Sequence, residues 1–137
     1  MQMEMKEKII DAYRWATLPA RMWAKRKAIN NGSYPVMILF YHRVADHDMN
    51  PWTISRAGFD AQISWLSKNF DLVSLDEAQR RIRFKQNTRP TLSITFDDGY
   101  AENSEHAIPL LIKRKIPVTY FITSENIFTG KPFPHDA

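Results

Sequence analysis

The stretch Leu92-Ser93-Ile94-Thr95-Phe96-Asp97-Asp98-Gly99-Tyr100 is an apolar, β-rich run that ends in two adjacent acids and a glycine. Thr91–Phe96 reads as a buried strand, and Gly99 allows a tight turn just beyond it. Such a strand delivers Asp97 and Asp98 to its C-terminal end, where ligands bind in parallel α/β folds. Consecutive strand residues point to opposite faces, yet at a fraying end both carboxylates can turn toward one pocket. There they repel unless a cation or a shared proton relieves them. One could bind a divalent metal while the other serves as general base, a division of labour suited to hydrolysis. An acidic pair can equally well do no more than cap the following turn, and the residues alone leave both readings open.

Outward from this strand, the chain alternates between two kinds of segment. Pro35–Tyr41 is a continuous apolar run, expected to be a strand covered on both faces. Ser55 is placed to cap a helix in which Phe59, Ile63, Leu66 and Phe70 recur at helical intervals. Leu72-Val73 is a short strand candidate, and Ser74-Leu75-Asp76-Glu77 has the capping-box pattern of a helix that sets Leu75, Ala78 and Ile82 on one side. Ala107, Leu110 and Leu111 mark another helix, and Val118–Ile122 a further strand rich in β-branched and aromatic residues. The last strand is expected to end near Thr123, after which the chain runs through Phe128-Thr129-Gly130-Lys131-Pro132-Phe133-Pro134. Strand and helix in alternation, with short connections, mean an α/β architecture with a parallel sheet. Three or four such strands make an open sheet with unprotected edges rather than a closed barrel.

Composition narrows the chemistry. The chain has 137 residues and no cysteine, so disulfides, cysteine-ligated zinc and thiol nucleophiles are excluded and any metal site must use His, Asp and Glu. The net charge of +4 sits entirely in residues 1–30, which hold seven basic residues and three acids, whereas residues 31–137 hold twelve of each sign. A nucleic-acid footprint should lie across a folded face, so this distribution argues against one. Residues 1–32 read as a basic amphipathic helical leader in two pieces, with Pro19 in the first turn of the second and Asn30-Asn31-Gly32 at its end. Trp15 and Trp23 are expected to pack on the chain's own domain. A helix of this kind can also rest on an anionic membrane surface, so peripheral membrane contact through residues 1–30 is the second reading. No apolar stretch and small-residue cleavage site of a secretory signal is visible, so a cytoplasmic or peripheral-membrane location is expected.

Other acidic motifs fit poorly. An apolar strand ending in two acids resembles a Walker B element, but none of Gly32, Gly58, Gly99 and Gly130 begins a phosphate loop. Aspartate-nucleophile phosphatases separate their acids by one residue, whereas here they are adjacent.

Thr95-Phe96-Asp97-Asp98-Gly99-Tyr100 resembles the first signature motif of the polysaccharide deacetylases, the NodB-homology or carbohydrate esterase family 4 group. Leu39-Phe40-Tyr41-His42-Arg43-Val44, the stretch from Phe59 to Leu75, Ala107–Leu111 and Ile116–Thr123 resemble further segments of that family in the same order. The likeness covers roughly residues 35–135, and residues 1–34 lie outside it. It implies an incomplete (β/α) barrel, with residues 33–137 as the N-terminal portion of a NodB-like domain. It also implies removal of acetyl groups from N-acetylated polysaccharides or oligosaccharides with a divalent metal, usually zinc. By position, Asp97 matches the general base and Asp98 the aspartate metal ligand. His42, Tyr100 and Trp52 are candidates for lining the substrate site, the last two by stacking on a sugar ring.

The resemblance has a gap. The family takes two more metal ligands from an H-(S/T)-x-x-H motif downstream of the strand at 118–122, and nothing in this sequence has that pattern. Catalytic zinc usually takes three protein ligands, so a truncated deacetylase, inactive alone, is expected. The alternative is a non-catalytic remnant that binds carbohydrate or a protein partner. Of the remaining histidines, His47 reads as part of a solvated turn, His106 as structural, and His135 as a loop residue.

Overall fold

A computed structural model describes residues 2–130. Helix α1 (Gln2–Asn30) precedes strand β1 (Val36–Tyr41), and two short strands follow, β2 (Arg43–Val44) and β3 (Thr53–Ile54). Then come α2 (Arg56–Asn69), β4 (Asp71–Leu72), α3 (Leu75–Arg83) and β5 (Thr91–Phe96). A 3-10 turn at Ala101–Ser104, α4 (Ala107–Lys113), β6 (Val118–Tyr120) and α5 (Ser124–Thr129) complete the described residues.

β5 is the centre of a four-stranded, all-parallel sheet. β1 pairs with β5 from Val36↔Thr91 to Tyr41↔Phe96 and so occupies one whole edge. β4 and β6 therefore share the other edge, at the first and last residues of β5 respectively. Caps fix where the helices begin. The Ser55 hydroxyl accepts from the Gly58 N–H and the Ser74 hydroxyl from the Glu77 N–H, each satisfying a donor that has no partner within the helix.

Phe59, Ile63 and Leu66 of α2, with Ala107 and Leu111 of α4, bury one face of the sheet against Leu92, Ile94 and Phe96. Each large apolar side chain buried there contributes roughly 1.5–3 kcal/mol. α3 lies at the other end of β5, where Arg81 pairs with Asp71 at 2.6 Å and reaches the Thr91 hydroxyl.

Four sequence expectations are corrected. The leader is one helix, not two, with Pro19 inside it. On an exposed helix the Trp15 carbonyl that Pro19 cannot engage is free to take water, and the Thr17 hydroxyl donates to the Tyr13 carbonyl one turn before the proline. Trp15 and Trp23 do not pack on the domain: they are 75% and 64% exposed.

β1 is not covered on both faces. Leu39 and Tyr41 join the core beneath α2 and α4, but Ile38 and Phe40 on the opposite face are 54% and 56% exposed. Phe40 is thus not a core residue. The last strand ends at Tyr120 rather than near Thr123, and the chain is helical again over Ser124–Thr129. His135 lies outside the described residues.

Candidate functional site

The site grows from the end of β5. The Asp97 N–H donates to the Tyr41 carbonyl at 2.9 Å, so the β1–β5 ladder runs one residue past the strand. By alternation Asp97 then belongs to the face of Thr91, Ser93 and Thr95. The Gly99 N–H closes back on the Asp97 carbonyl at 2.9 Å, making a three-residue turn with Asp98 at its centre. Asp98 has φ 69° and Gly99 φ 84°, so two successive residues are left-handed. Only glycine adopts that conformation freely, and a three-residue turn of this hand is strained for a residue with a Cβ. A Cβ on Gly99 would also stand 3.1 Å from the Ile122 side chain.

The turn breaks strand alternation. Asp98 does not swing away from Asp97's face but comes to His42, with Oδ2 to Nε2 at 3.7 Å and both side chains mostly buried. His42 follows β1 directly, on the same side as Phe40, whose ring it meets edge-on at 5.6 Å. Its other neighbour is Trp52, with ring centroids 5.1 Å apart and planes tilted by 37°. Trp52 itself is more than half exposed. Three sequence-predicted residues, Asp98, His42 and Trp52, are thereby brought into one row.

Tyr100 enters by its backbone: its carbonyl accepts the Tyr120 hydroxyl at 2.8 Å. Among the described residues the Asp97 carboxylate makes no hydrogen bond or ion pair, which leaves it available to a ligand. Two apolar grooves, one around Phe70 and Ile116 and one around Tyr34 and Pro90, lie toward the opposite end of the strands.

Residues that sequence reasoning missed hold this end together. Asn103, fully buried in the 3-10 turn, donates from Nδ2 to the His42 carbonyl at 2.7 Å and to the Tyr120 hydroxyl at 3.1 Å. Its Oδ1 accepts from the Val44 N–H at 2.8 Å. One amide thus ties the ends of β1 and β6 to the turn that follows the aspartates. Arg43, also buried, donates through Nε and Nη2 to Glu102 Oε1 at 3.0 and 2.8 Å and through Nη1 to the Asp48 carbonyl. Burial alone would raise the pKa of Glu102. Its own backbone N–H and the Arg43 guanidinium outweigh that and hold the carboxyl below its ordinary value. Arg43 is signalled in the sequence only as a charge within a largely apolar run, and Asn103 stands unmarked in the polar stretch Glu102–His106, so neither shows which partner it will find.

The other two histidines among the described residues make structural contacts. His47 pairs with Asp48 at 3.2 Å in an exposed turn, and His106 joins α4 to α2 through Asp60 at 2.7 Å. No group of three or more His, Cys, Asp or Glu side chains among the described residues is arranged to hold a metal. Asp98 and His42 give two donors at most, fewer than the three a catalytic zinc takes from protein, so the described residues do not by themselves make a zinc site.

Residues 84–133 match the family model for polysaccharide deacetylase. YxkH of Bacillus subtilis, whose name places it among the polysaccharide deacetylases, is 30% identical over 93 residues, covering 66% of this chain and 32% of that protein. IcaB from Ammonifex degensii superposes with a TM-score of 0.56 and 34% identity, over 64% of this chain and 37% of its own. BC0361, a polysaccharide deacetylase from Bacillus cereus, gives 0.53 and 26%, over 66% and 30%. The chain spans about a third of the length of these relatives. Over that part it shares the sequence pattern and the parallel (β/α) fold of the polysaccharide deacetylases.

Proposed function

We propose that these residues form part of a site that hydrolyses the acetamide of an N-acetylated polysaccharide or oligosaccharide. The observation that carries this reading is the turn at Asp97-Asp98-Gly99, which sets two neighbouring carboxylates on one side of the sheet at the end of its central strand. Asp97 takes the role of general base. Its carboxylate, without a side-chain partner among the described residues, can accept the proton of the water that attacks the acetamide carbonyl.

Asp98 is the proposed ligand of a divalent cation, zinc by family resemblance, whose remaining donors have to come from outside residues 2–130. When bound, such a cation supplies Lewis-acid polarisation of the carbonyl. Trp52 offers an exposed indole on which a sugar ring can stack, and His42 supports that indole from beneath. Tyr100, one glycine beyond the aspartates, is the proposed border of the same sugar.

The test is acetate release from N-acetylglucosamine oligomers by a polypeptide that unites these residues with the missing metal donors. Asp97→Asn should abolish release while metal binding largely survives, and Asp98→Asn should weaken the metal. Unchanged release in both variants would remove the assignment. The short donor set favours one second reading, carbohydrate binding without catalysis. In that case the oligomer would bind the chain through Trp52, and no acetate would appear.

A further inference from the structure

Helix α1 is the part of the molecule that this reading does not use. Its last turns meet the domain: Ala24, Lys25 and Ala28 line the groove that Ser33, Tyr34, Pro35, Phe70 and Pro90 complete. At three- and four-residue steps the same stripe runs back through Arg21, Thr17 and Arg14, so this is the side of α1 turned to the domain. The opposite stripe is Met5, Ile9, Ala12, Ala16, Pro19 and Trp23, flanked by Trp15 and Met22 on one side and Tyr13 on the other. It is apolar as far as Trp23, over whose ring the Lys27 ammonium lies at 5.0 Å, it faces away from the domain, and its large side chains are all exposed. A soluble surface does not ordinarily leave so long an apolar patch bare.

We propose that α1 lies in the headgroup region of an anionic bilayer with this stripe buried. Charge points to that occupant: residues 1–30 carry the whole net charge of +4, and the rest of the chain is balanced. Lys8 and Arg26 border the apolar stripe near its two ends, where their stems can follow the acyl boundary while their charges meet lipid phosphates. Tyr13, Trp15 and Trp23 are residue types that settle at this boundary. No described helix is long and apolar enough to cross a membrane, so α1 rests on the surface rather than spanning it. α1 also leads into β1 at the end of the sheet away from Asp97.

The inference is independent of the deacetylase reading and is tested by sedimenting the full chain with vesicles. The chain should cosediment with phosphatidylglycerol–phosphatidylcholine vesicles, with blue-shifted tryptophan emission, and far less with phosphatidylcholine alone. Trp15→Ser with Trp23→Ser should lower partition about tenfold or more. Lys8→Gln and Arg26→Gln should each lower it about fivefold on the anionic vesicles only. These side chains lie outside the core, and matching circular dichroism confirms that the variants fold. Equal binding to both vesicle types, partition indifferent to the tryptophans, or retention on duplex DNA with none on vesicles would each overturn the proposal.

Discussion

Asp98 Oδ2 stands 3.7 Å from His42 Nε2 only because Asp98 is held at φ 69°. Left-handed backbone costs a residue with a Cβ about 1 kcal/mol, and aspartate tolerates it better than most. The stability of the fold and the chemistry of the site are therefore opposed at this position. Asp98→Gly should raise the unfolding free energy by roughly 0.5–1 kcal/mol while removing the proposed cation ligand. Asp98→Asn, which keeps the tolerance for this backbone, should change stability little. Urea unfolding of the three proteins decides. A glycine variant no more stable than the parent would mean the turn is not strained.

Asn103 is the most sensitive polar residue of the site. Its removal leaves the Val44 N–H, the His42 carbonyl and the Tyr120 hydroxyl without their buried partner. Asn103→Ala should cost about 3 kcal/mol, since a buried group left unpaired loses its full desolvation. It should also shift the emission of Trp52, whose indole rests on His42. Loss of stability below 1 kcal/mol by denaturant titration would show that water replaces the amide with ease.

What the sequence made legible is what has a period or a cap. α2 and α3 begin at Ser55 and Ser74 because a short hydroxyl side chain satisfies an N-terminal N–H, a rule that acts within four residues. β5 is legible because six consecutive residues favour a strand. Two-residue strands such as β2 and β3 have no period to read, and they exist because the Arg43–Glu102 and Asn103–Val44 contacts hold the loop in place. The Asp97–Asp98 pair was visible as a motif. The left-handed turn that keeps Asp98 beside His42 was not, since it depends on the ladder bond from Asp97 to Tyr41 and on the packing of Gly99 against Ile122. Exposure of Ile38 and Phe40 was equally hidden, because an apolar run reports hydrophobicity and not the number of layers around it.

Two titrations should shape the pH dependence of stability, from opposite ends. The Arg80 and Arg81 side chains hydrogen-bond the Glu77 carboxylate and lower its pKa to about 2. A depressed folded pKa means that its contribution is present above the unfolded value of 4.5 and is lost as pH falls toward about 2. Burial raises the Tyr41 hydroxyl to about 12. Its contribution is full below the unfolded value of 10.0 and disappears as pH rises through about 12. Glu77→Gln should therefore flatten the acid limb of the stability curve, and Tyr41→Phe the alkaline limb. Unaltered limbs in the two variants would contradict the assignments.

Gly32 sets the attachment of α1 to the domain. It sits at φ 64°, and a Cβ there would collide with the Lys85 carbonyl in the α3–β5 connection. The close approach is needed because the Asn87 N–H donates to the Gly32 carbonyl at 2.8 Å, while Asn87 Nδ2 holds the Tyr34 carbonyl at 2.8 Å. Gly32→Ala combines left-handed strain with a backbone clash, so the junction should open and the protein lose roughly 3 kcal/mol. Limited proteolysis should then cut between α1 and β1 much faster than in the parent, while the core around Phe59 and Phe96 stays protected. If cleavage is no faster, the helix is fastened to the domain by something other than this junction, and the orientation of its apolar stripe away from the domain has to be derived again.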